Sequence, residues 1–216
     1  MKKHVMCIVA SLLAMWSLSA VSNSWASVST TAIGFGFGNP HVKMKAGGTT
    51  IADGSLGTTT TFTMIKGISV EGANYFDAKG TLGILYGLSF DPAIQATSDN
   101  DVSEESSQRS IGLSALFSYR LPIDAKLCTD FDGGLFLSAE HEKNGSDTST
   151  LRSFGLVFKG GLMYALTDRI SLRTGLDMLI PLYEWGKVKA SGSTIKLSVT
   201  PRTVEFQIPV GIAFSY

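Results

Sequence analysis

The sequence has few cysteines, few prolines and no surplus of either charge, and each shortage excludes a class of protein. It holds two cysteines, six prolines, and 18 basic against 18 acidic residues in a chain of 216. Balanced charge gives no general attraction to phosphates, so we expect no nucleic-acid partner. Six prolines are too few for a polyproline linker, and the 23 glycines lack the third-residue spacing of collagen. The length and hydrophobic content therefore predict one packed unit.

The first 26 residues have the features of a cleaved signal peptide. A basic start precedes an apolar run from residue 5 to residue 20, and Ser24-Trp25-Ala26 places small residues at the two positions that signal peptidase reads. The run is short for a spanning helix, which makes a retained membrane anchor the weaker alternative. We therefore predict a signal peptide over residues 1–26 and an exported domain over residues 27–216.

After residue 26 no apolar run is long enough for a spanning helix, yet 44% of the chain is hydrophobic. The hydrophobic residues instead recur at every second position, as they do from Val204 to Tyr216, and this period is typical of β-strands. One segment is irregular, because Lys66 falls on its apolar face; this indicates a β-bulge at Lys66-Gly67 or a register slip. The pattern predicts eight strands, over residues 31–38, 62–76, 82–90, 110–120, 127–139, 154–166, 170–182 and 204–216.

The predicted connections alternate between short turns and long polar loops. The long ones cover residues 39–60, 91–108, 140–152 and 184–201. A soluble exported sandwich or a lipocalin-like barrel would also show alternation. An export signal followed by eight long strands with turns of alternating length fits a membrane barrel better. The fold class predicted is all-β: an eight-stranded antiparallel up-and-down transmembrane β-barrel, since strands cross a bilayer only when the sheet closes.

Two segments resemble the small eight-stranded outer-membrane barrels of the OmpX, OmpW and opacity-protein group. The closing alternation ends in an aromatic residue, and Gly155-x5-Gly161-x2-Tyr164-x-Leu166-Thr167-Asp168 looks like a strand and turn common in that group. The resemblance implies an outer-membrane location, contact with outer-membrane lipids and recognition of the last strand by the assembly machinery. The residues that would carry this assembly signal are Phe206, Phe214 and Tyr216.

Few residues suggest chemistry. After the predicted cleavage the chain has two histidines, His41 and His141, both in predicted outer loops and neither with a Ser nearby in a His-x-Ser pair. The remaining cysteine, Cys128, and two distant histidines do not form a metal-ligand set, and one cysteine cannot form an internal disulfide. We therefore predict no enzyme, no metal site and no cofactor.

The inward face of the predicted barrel combines charges with many glycines. An ion-pair network that fills the lumen is the simplest interpretation, because eight strands enclose little more than their own side chains. Glycines such as Gly83, Gly112 and Gly155 would leave space for a cavity, or would allow close packing of strands. The residues that we predict to face the lumen are Arg120, Asp130, Asp132, Lys159, Arg173, Asp177 and Glu205.

Two functions remain open at this point. The first is an OmpW-like narrow passage or binding cavity for small solutes, including apolar ones, and the small lumen residues favour it. The second is an OmpX-like or opacity-like surface protein with a plugged lumen, whose loops bind host or envelope partners, and the long polar loops favour it. Residues 91–108 are acidic and residues 184–201 are basic. These two loops could pair over the mouth or bind a lipopolysaccharide-like partner.

Overall fold

The computed structural model describes residues 24–77, 79–94, 106–190 and 192–216, and it is built almost entirely of β-strands. Most of the predicted signal peptide lies outside the described residues, as does most of the predicted acidic loop 91–108. No helix in the described part of the chain is both long and apolar enough to cross a membrane.

Eleven strands follow one another along the described chain. They form one antiparallel sheet with the order β11-β1-β4-β5-β6-β7-β8-β9-β10-β2-β3, and β11 also pairs with β9. The strands are Ser24–Gly38 (β1), His41–Ala46 (β2), Thr49–Ser55 (β3), Thr59–Tyr75 (β4), Leu82–Ile94 (β5), Ser106–Pro122 (β6), Leu127–Asn144 (β7), Asp147–Ala165 (β8), Ile170–Ala190 (β9), Ser193–Thr200 (β10) and Thr203–Ser215 (β11).

The pairing of β11 with β9 closes a ring of eight strands. Phe214 of β11 lies opposite Ile170 of β9 on one side and Ala26 of β1 on the other. Closure removes the free edges of the ring, so every ring strand has two neighbours. The predicted fold class, an eight-stranded antiparallel barrel, is confirmed.

All four predicted outer loops contain strand residues, which corrects the sequence prediction, and in the segment 91–108 these are residues 91–94 of β5 and 106–108 of β6. The segment 39–60 contains β2 and β3, the segment 140–152 holds the ends of β7 and β8, and 184–201 holds the end of β9 and all of β10. The upper part of β9 pairs with β10, which pairs with β2, which pairs with β3. We call these three added strands the extension. They extend the wall of the barrel beyond the ring at one end.

The predicted bulge lies where Lys66 meets Gly67. Ser29 pairs with Ser69 and Thr31 pairs with Lys66, so β4 carries one extra residue between these two pairs. Gly67 has a φ of 58°, the left-handed conformation that glycine adopts without strain. The bulge therefore restores the register that Lys66 would otherwise break.

Alternation along the strands separates an outer apolar belt from a buried interior. Large hydrophobic side chains point outward on the ring strands, among them Phe117, which is 77% exposed, and Phe62, at 66%. In water such a surface would be costly, whereas in a bilayer it is the expected lipid-facing surface. The outer face is therefore that of a membrane-spanning barrel.

Ser24, which is the first described residue, the C-terminal Tyr216 and three short turns lie at one end of the ring, which we call the terminal end. The opposite end, with the extension, is the hairpin end. Backbone N–H groups of Thr81 and Leu82 donate to the carboxylate of Asp77, and those of Lys126 and Leu127 donate to Asp124. These bonds lower the pKa of both aspartates, Leu82 contributing most at Asp77 and Lys126 at Asp124. The turns are therefore held by their own side chains.

The first strand begins earlier than the sequence predicts. Ser24, Trp25 and Ala26, assigned above to the signal peptide, pair with β11 and β4 as part of β1. Trp25 has 0% of its surface exposed. The barrel therefore uses three residues that a cleavage after Ala26 would remove.

Candidate functional site: the barrel interior

The terminal half of the barrel is filled by side chains. Trp25 and Tyr75 are buried there, the indole N–H of Trp25 donates to the hydroxyl of Tyr75 at 3.3 Å, and Tyr75 contacts the hydroxyl of Ser118 at 3.3 Å. Apolar side chains pack around them: Ala73, Leu85, Leu116, Phe136, Val157, Met163 and Ala213. Alternation placed Leu85, Leu116 and Ala213 on this face, but no sequence pattern indicated that Trp25 belongs to the barrel. We call this packed region the floor.

Arginines lie between the aromatic residues and the acidic ones. Arg120 of β6 donates to Asp130 of β7 at 2.9 Å, and its guanidinium lies 4.6 Å from the centre of the Tyr75 ring. The guanidinium of Arg173 lies 5.0 Å from the ring of Trp25 and pairs with Glu71 of β4. Cation–π contact and ion pairing together hold both arginines in the floor.

A second set of ion pairs lies at the top of the floor. The ammonium of Lys159 on β8 contacts the carboxylate of Asp177 on β9 at 3.2 Å and also contacts Glu71. Glu71 therefore bridges Lys159 and Arg173, and all four side chains are buried or nearly so. Buried ion pairs contribute little net stability, but removing one partner leaves a costly charge.

Asp132 differs from the other buried acids. The residue is only 5% exposed and makes no ion pair within the described part of the chain, and the polar side chain beside its carboxylate is the hydroxyl of Ser118 on the neighbouring strand. In Asp130, two positions earlier on the same strand, the carboxylate oxygen Oδ2 is buried and has no hydrogen-bond partner within the described residues. A buried carboxylate of this kind is stable when it is hydrated or protonated. The floor is therefore polar as well as packed.

Above the floor, towards the hairpin end, the barrel encloses a cavity of about 200 Å³. Apolar parts of its wall come from residues such as Phe136, Val157 and Leu179. The ionisable residues around it are mostly acidic, and Lys159 is the one basic residue in its lining within the described chain. The acidic lining residues are Glu71, Asp91, Glu140, Asp177, Glu184 and Glu205.

The predicted lumen residues thus occupy two levels. The side chains of Arg120, Asp130, Asp132 and Arg173 lie in the floor, whereas Glu205 lies in the cavity wall. Lys159 and Asp177 lie at the boundary, since they both form the upper ion pairs and line the cavity. Sequence reasoning did not separate these levels, because period two gives the face of a strand but not what fills the space opposite it.

The inward glycines have two different roles: some allow neighbouring strands to pack closely, and others leave space in the lumen. A Cβ on Gly83, Gly155 or Gly211 would clash with backbone of the neighbouring strand, so these glycines serve close strand packing. A Cβ on Gly112 would meet only side-chain atoms, mainly the hydroxyl of Ser89, and one on Gly161 would have its nearest neighbours at 3.7 Å. The expectation that inward glycines leave space therefore holds at some positions, and the packing alternative holds at others.

Of the three residues of the predicted assembly signal, Phe206 and Phe214 lie on the outer face of β11, and Tyr216 follows its last residue. Phe214 and Tyr216 are exposed, and the backbone N–H of Tyr216 donates to the carbonyl of Ser24 at 3.1 Å. Phe206 stacks with Phe37 of β1 at a centroid distance of 6.2 Å. The last strand is thus accessible from lipid along its length.

The two histidines belong to the hairpin end. His41 contacts the carboxylate of Asp53 at 2.7 Å, and Asp53 also accepts from Lys43 at 2.7 Å, which lowers its pKa. The nearby hydroxyl of Ser55 donates to Asn39. His141 contacts the hydroxyl of Thr150 at 3.3 Å. The prediction that the protein is not an enzyme stays a prediction.

Comparison with known proteins gives structural relatives only. No family model and no curated protein matches the sequence. The outer membrane protein AlkL, solved in lipid bilayers, is 11% identical with a TM-score of 0.54, covering 91% of this chain and 90% of its own. A major outer membrane protein of Thermus thermophilus is 13% identical with a TM-score of 0.50, covering 90% of this chain and 100% of its own.

At these identities the likeness shows the fold alone, which is that of an outer-membrane β-barrel. Together with the apolar belt around a closed ring, it confirms the predicted resemblance and the predicted location in the outer membrane.

Proposed function

We propose that this protein is a non-enzymatic outer-membrane barrel that binds a small solute in the cavity of its hairpin half. The observation that carries the proposal is a cavity of about 200 Å³ above a packed floor. An engineered cavity of about 150 Å³ is large enough for benzene, so this one accommodates a single-ring molecule.

The lining favours a solute with a positive charge. Lys159 and Arg173 offset the carboxylates of Glu71 and Asp177 at the bottom of the cavity. Higher up, the wall carries Glu140, Glu184 and Glu205 on three different strands, so the upper lining is rich in carboxylates. A wholly apolar solute would displace water from these carboxylates without replacing it. The cavity therefore suits an amine with a small apolar part.

A titration with three molecules of similar size tests the charge preference. Benzylamine, toluene and benzoate share one ring and differ in charge. For the full chain in detergent, we expect calorimetry to give tighter binding of benzylamine than of the other two, and weaker benzylamine binding after Glu205→Gln. Asp124→Asn, at the terminal end, is the control and should change nothing. Equal binding of benzoate, or unchanged binding by Glu205→Gln, would contradict the proposal.

Because the floor fills the terminal half of the lumen, a closed binding cavity is favoured over a permanently open pore. Trp25, Tyr75 and the paired arginines occupy the terminal half of the lumen. We therefore expect no steady openings in planar bilayers, and steady openings would show that the floor moves aside.

The second candidate function is that of a surface protein, and the extension favours it. β2, β3 and β10 carry regular structure beyond the ring, where a partner in solution reaches them. Deleting residues 41–55 and closing the chain with a short turn should abolish attachment to a host or envelope partner while leaving benzylamine binding intact. If the deletion abolished both partner attachment and benzylamine binding, the extension would instead be part of the solute-binding cavity.

A further inference from the structure

Charges of opposite sign lie on opposite faces of the barrel wall at the hairpin end. On β7, Glu140 lines the cavity, so Glu142 shares the inner face while His141 and Lys143 share the outer face. On β9, Glu184 lines the cavity, whereas Lys187 and Lys189 are exposed on the outer face. On these two strands the acids therefore face the lumen and the bases face away from the barrel.

The outer bases align in one row across six neighbouring strands. The strand registers place Lys187 opposite both Thr150 and Lys196, and Lys196 opposite Lys45. The same row continues through His141 to Arg109. We call it the basic row: Arg109, His141, Thr150, Lys187, Lys196 and Lys45. Directly opposite residues lie about 5 Å apart, so Lys187, Lys196 and Lys45 form a continuous positive strip, and Thr150 separates this strip from His141 and Arg109.

Below the basic row, the first row of outward-facing side chains mixes charged and hydrophobic residues, and the second consists of aliphatic and aromatic residues. Two residues further towards the terminal end, the next row holds Ile111, Arg152 and Trp185. The row below that holds Leu113, Leu137, Phe154 and Tyr183, and the ring of Tyr183 stacks on that of Trp185 at 5.5 Å. Tyrosine and tryptophan commonly mark the boundary between hydrocarbon and headgroups. The basic row therefore lies just above the lipid acyl chains.

The height of the basic row matches that of lipid headgroups. Two residues of a strand span about 6.6 Å, or roughly 5 Å along the membrane normal at the usual barrel tilt. The headgroup region is about 5 to 8 Å thick on each side of the hydrocarbon core. Within the described strands, the acid that faces these rows is Asp53, which is already paired with Lys43 and His41.

We propose that the basic row binds the phosphates of the lipopolysaccharide that surrounds the barrel in the outer leaflet. The strip faces sideways into the leaflet and continues the apolar belt upward, so a lipid held by its phosphates also places its acyl chains on that belt. Lysine and arginine near a membrane surface attract anionic headgroups by this charge complementarity. The site lies on the opposite face of the wall from the cavity and is independent of solute binding.

The test compares two triple variants of the full chain. One replaces Lys45, Lys187 and Lys196 by Gln, which removes three charges of the row. The control replaces Lys79, Lys126 and Arg169 by Gln, which removes three exposed charges at the terminal end. Both proteins are placed in nanodiscs of phosphatidylcholine and titrated with fluorescent lipopolysaccharide, after gel mobility has shown that each is folded.

At about a factor of five per lysine, the first variant should bind roughly 100-fold more weakly than the parent, and the control should bind like the parent. Chemically dephosphorylated lipopolysaccharide should bind the parent as weakly as the intact lipid binds the first variant. Equal binding by the two variants, or no effect of dephosphorylation, would overturn the proposal. It is also overturned if inorganic phosphate or soluble heparin binds more tightly than lipopolysaccharide and requires the same lysines.

Discussion

Arg173 on β9 and Glu71 on β4 pair across the barrel interior, although 102 positions separate them in the chain. β4 and β9 are not neighbours in the ring, so this contact exists only when the barrel has closed. Lys159 of β8 joins the same carboxylate. Glu71 is thus the point at which one side of the barrel is tied to the other.

Replacing Glu71 by Gln should destabilise the folded barrel by about 3–5 kcal/mol, because Arg173 and Lys159 would lose a shared buried partner. Urea unfolding followed by gel mobility measures the change. Asp53→Asn is the matched control, since it removes an acid that also holds two bases but lies exposed at the hairpin end. A change in the control as large as that in Glu71→Gln would contradict a special role for burial.

Two glycines of β8 should respond differently to the same substitution. Gly155→Ala should cost about 1–3 kcal/mol, because its Cβ would clash with the carbonyl of Ile180 and with Phe136. Gly161→Ala should be tolerated, because the nearest atoms would lie at 3.7 Å. Urea midpoints of the two variants measure the difference, and equal midpoints would show that strand packing does not depend on Gly155.

The processing site should lie upstream of Ser24. Trp25 is buried and contacts Tyr75 in the floor, so a chain cleaved after Ala26 would lack part of its core. Mass spectrometry of the protein from outer membranes should find Trp25 in the mature chain. Trp25→Ala should lower stability by about 3–5 kcal/mol, whereas Trp185→Ala, on the outer face, should cost less. A mature chain that starts at Ser27 would refute this prediction.

Deleting the last three residues should abolish membrane-inserted, heat-modifiable protein while export continues. The deletion removes Phe214 and its neighbours, which pair with both β1 and β9. The double variant Phe214→Ala and Tyr216→Ala keeps this backbone, so it separates ring closure from recognition by the assembly machinery. We expect it to fold from urea into detergent but to insert poorly in cells. Phe117→Ala, another exposed aromatic, is the control and should insert normally.

The hairpin end should face the outside of the cell, because outer-membrane barrels have short periplasmic turns and longer external connections. An epitope inserted after Gly145, in the turn between β7 and β8, should be labelled on intact cells. One inserted at Lys126 should be labelled only after the outer membrane is opened. The reverse result would invert the barrel and place the basic row in the inner leaflet.

Period-two alternation was sufficient to predict the strands of the ring, while the export signal and the turns of alternating length favoured a closed membrane barrel over a soluble fold. It identified eight strands and assigned side chains such as Leu85 and Phe117 to the correct face, because lipid outside and a packed lumen inside impose opposite chemistry on successive residues. Lys66 interrupted that pattern, and the interruption indicated the bulge at Gly67. The extension was missed, although Val42 and Met44, and likewise Leu197 and Val199, alternate with polar residues in the same way. These strands are short, and their lysines made them resemble solvated loops.

The sequence by itself therefore determined that the chain forms a closed barrel with charged residues inside, because that follows from the chemistry of each position. Only the tertiary structure decided which charges meet, which glycines tolerate a side chain, and which lysines form a row. Those outcomes depend on which backbone lies opposite each residue once the ring has closed. Glu71 meets Arg173, and Lys187 lies beside Lys196, because strand register brings them together across the sheet or the lumen.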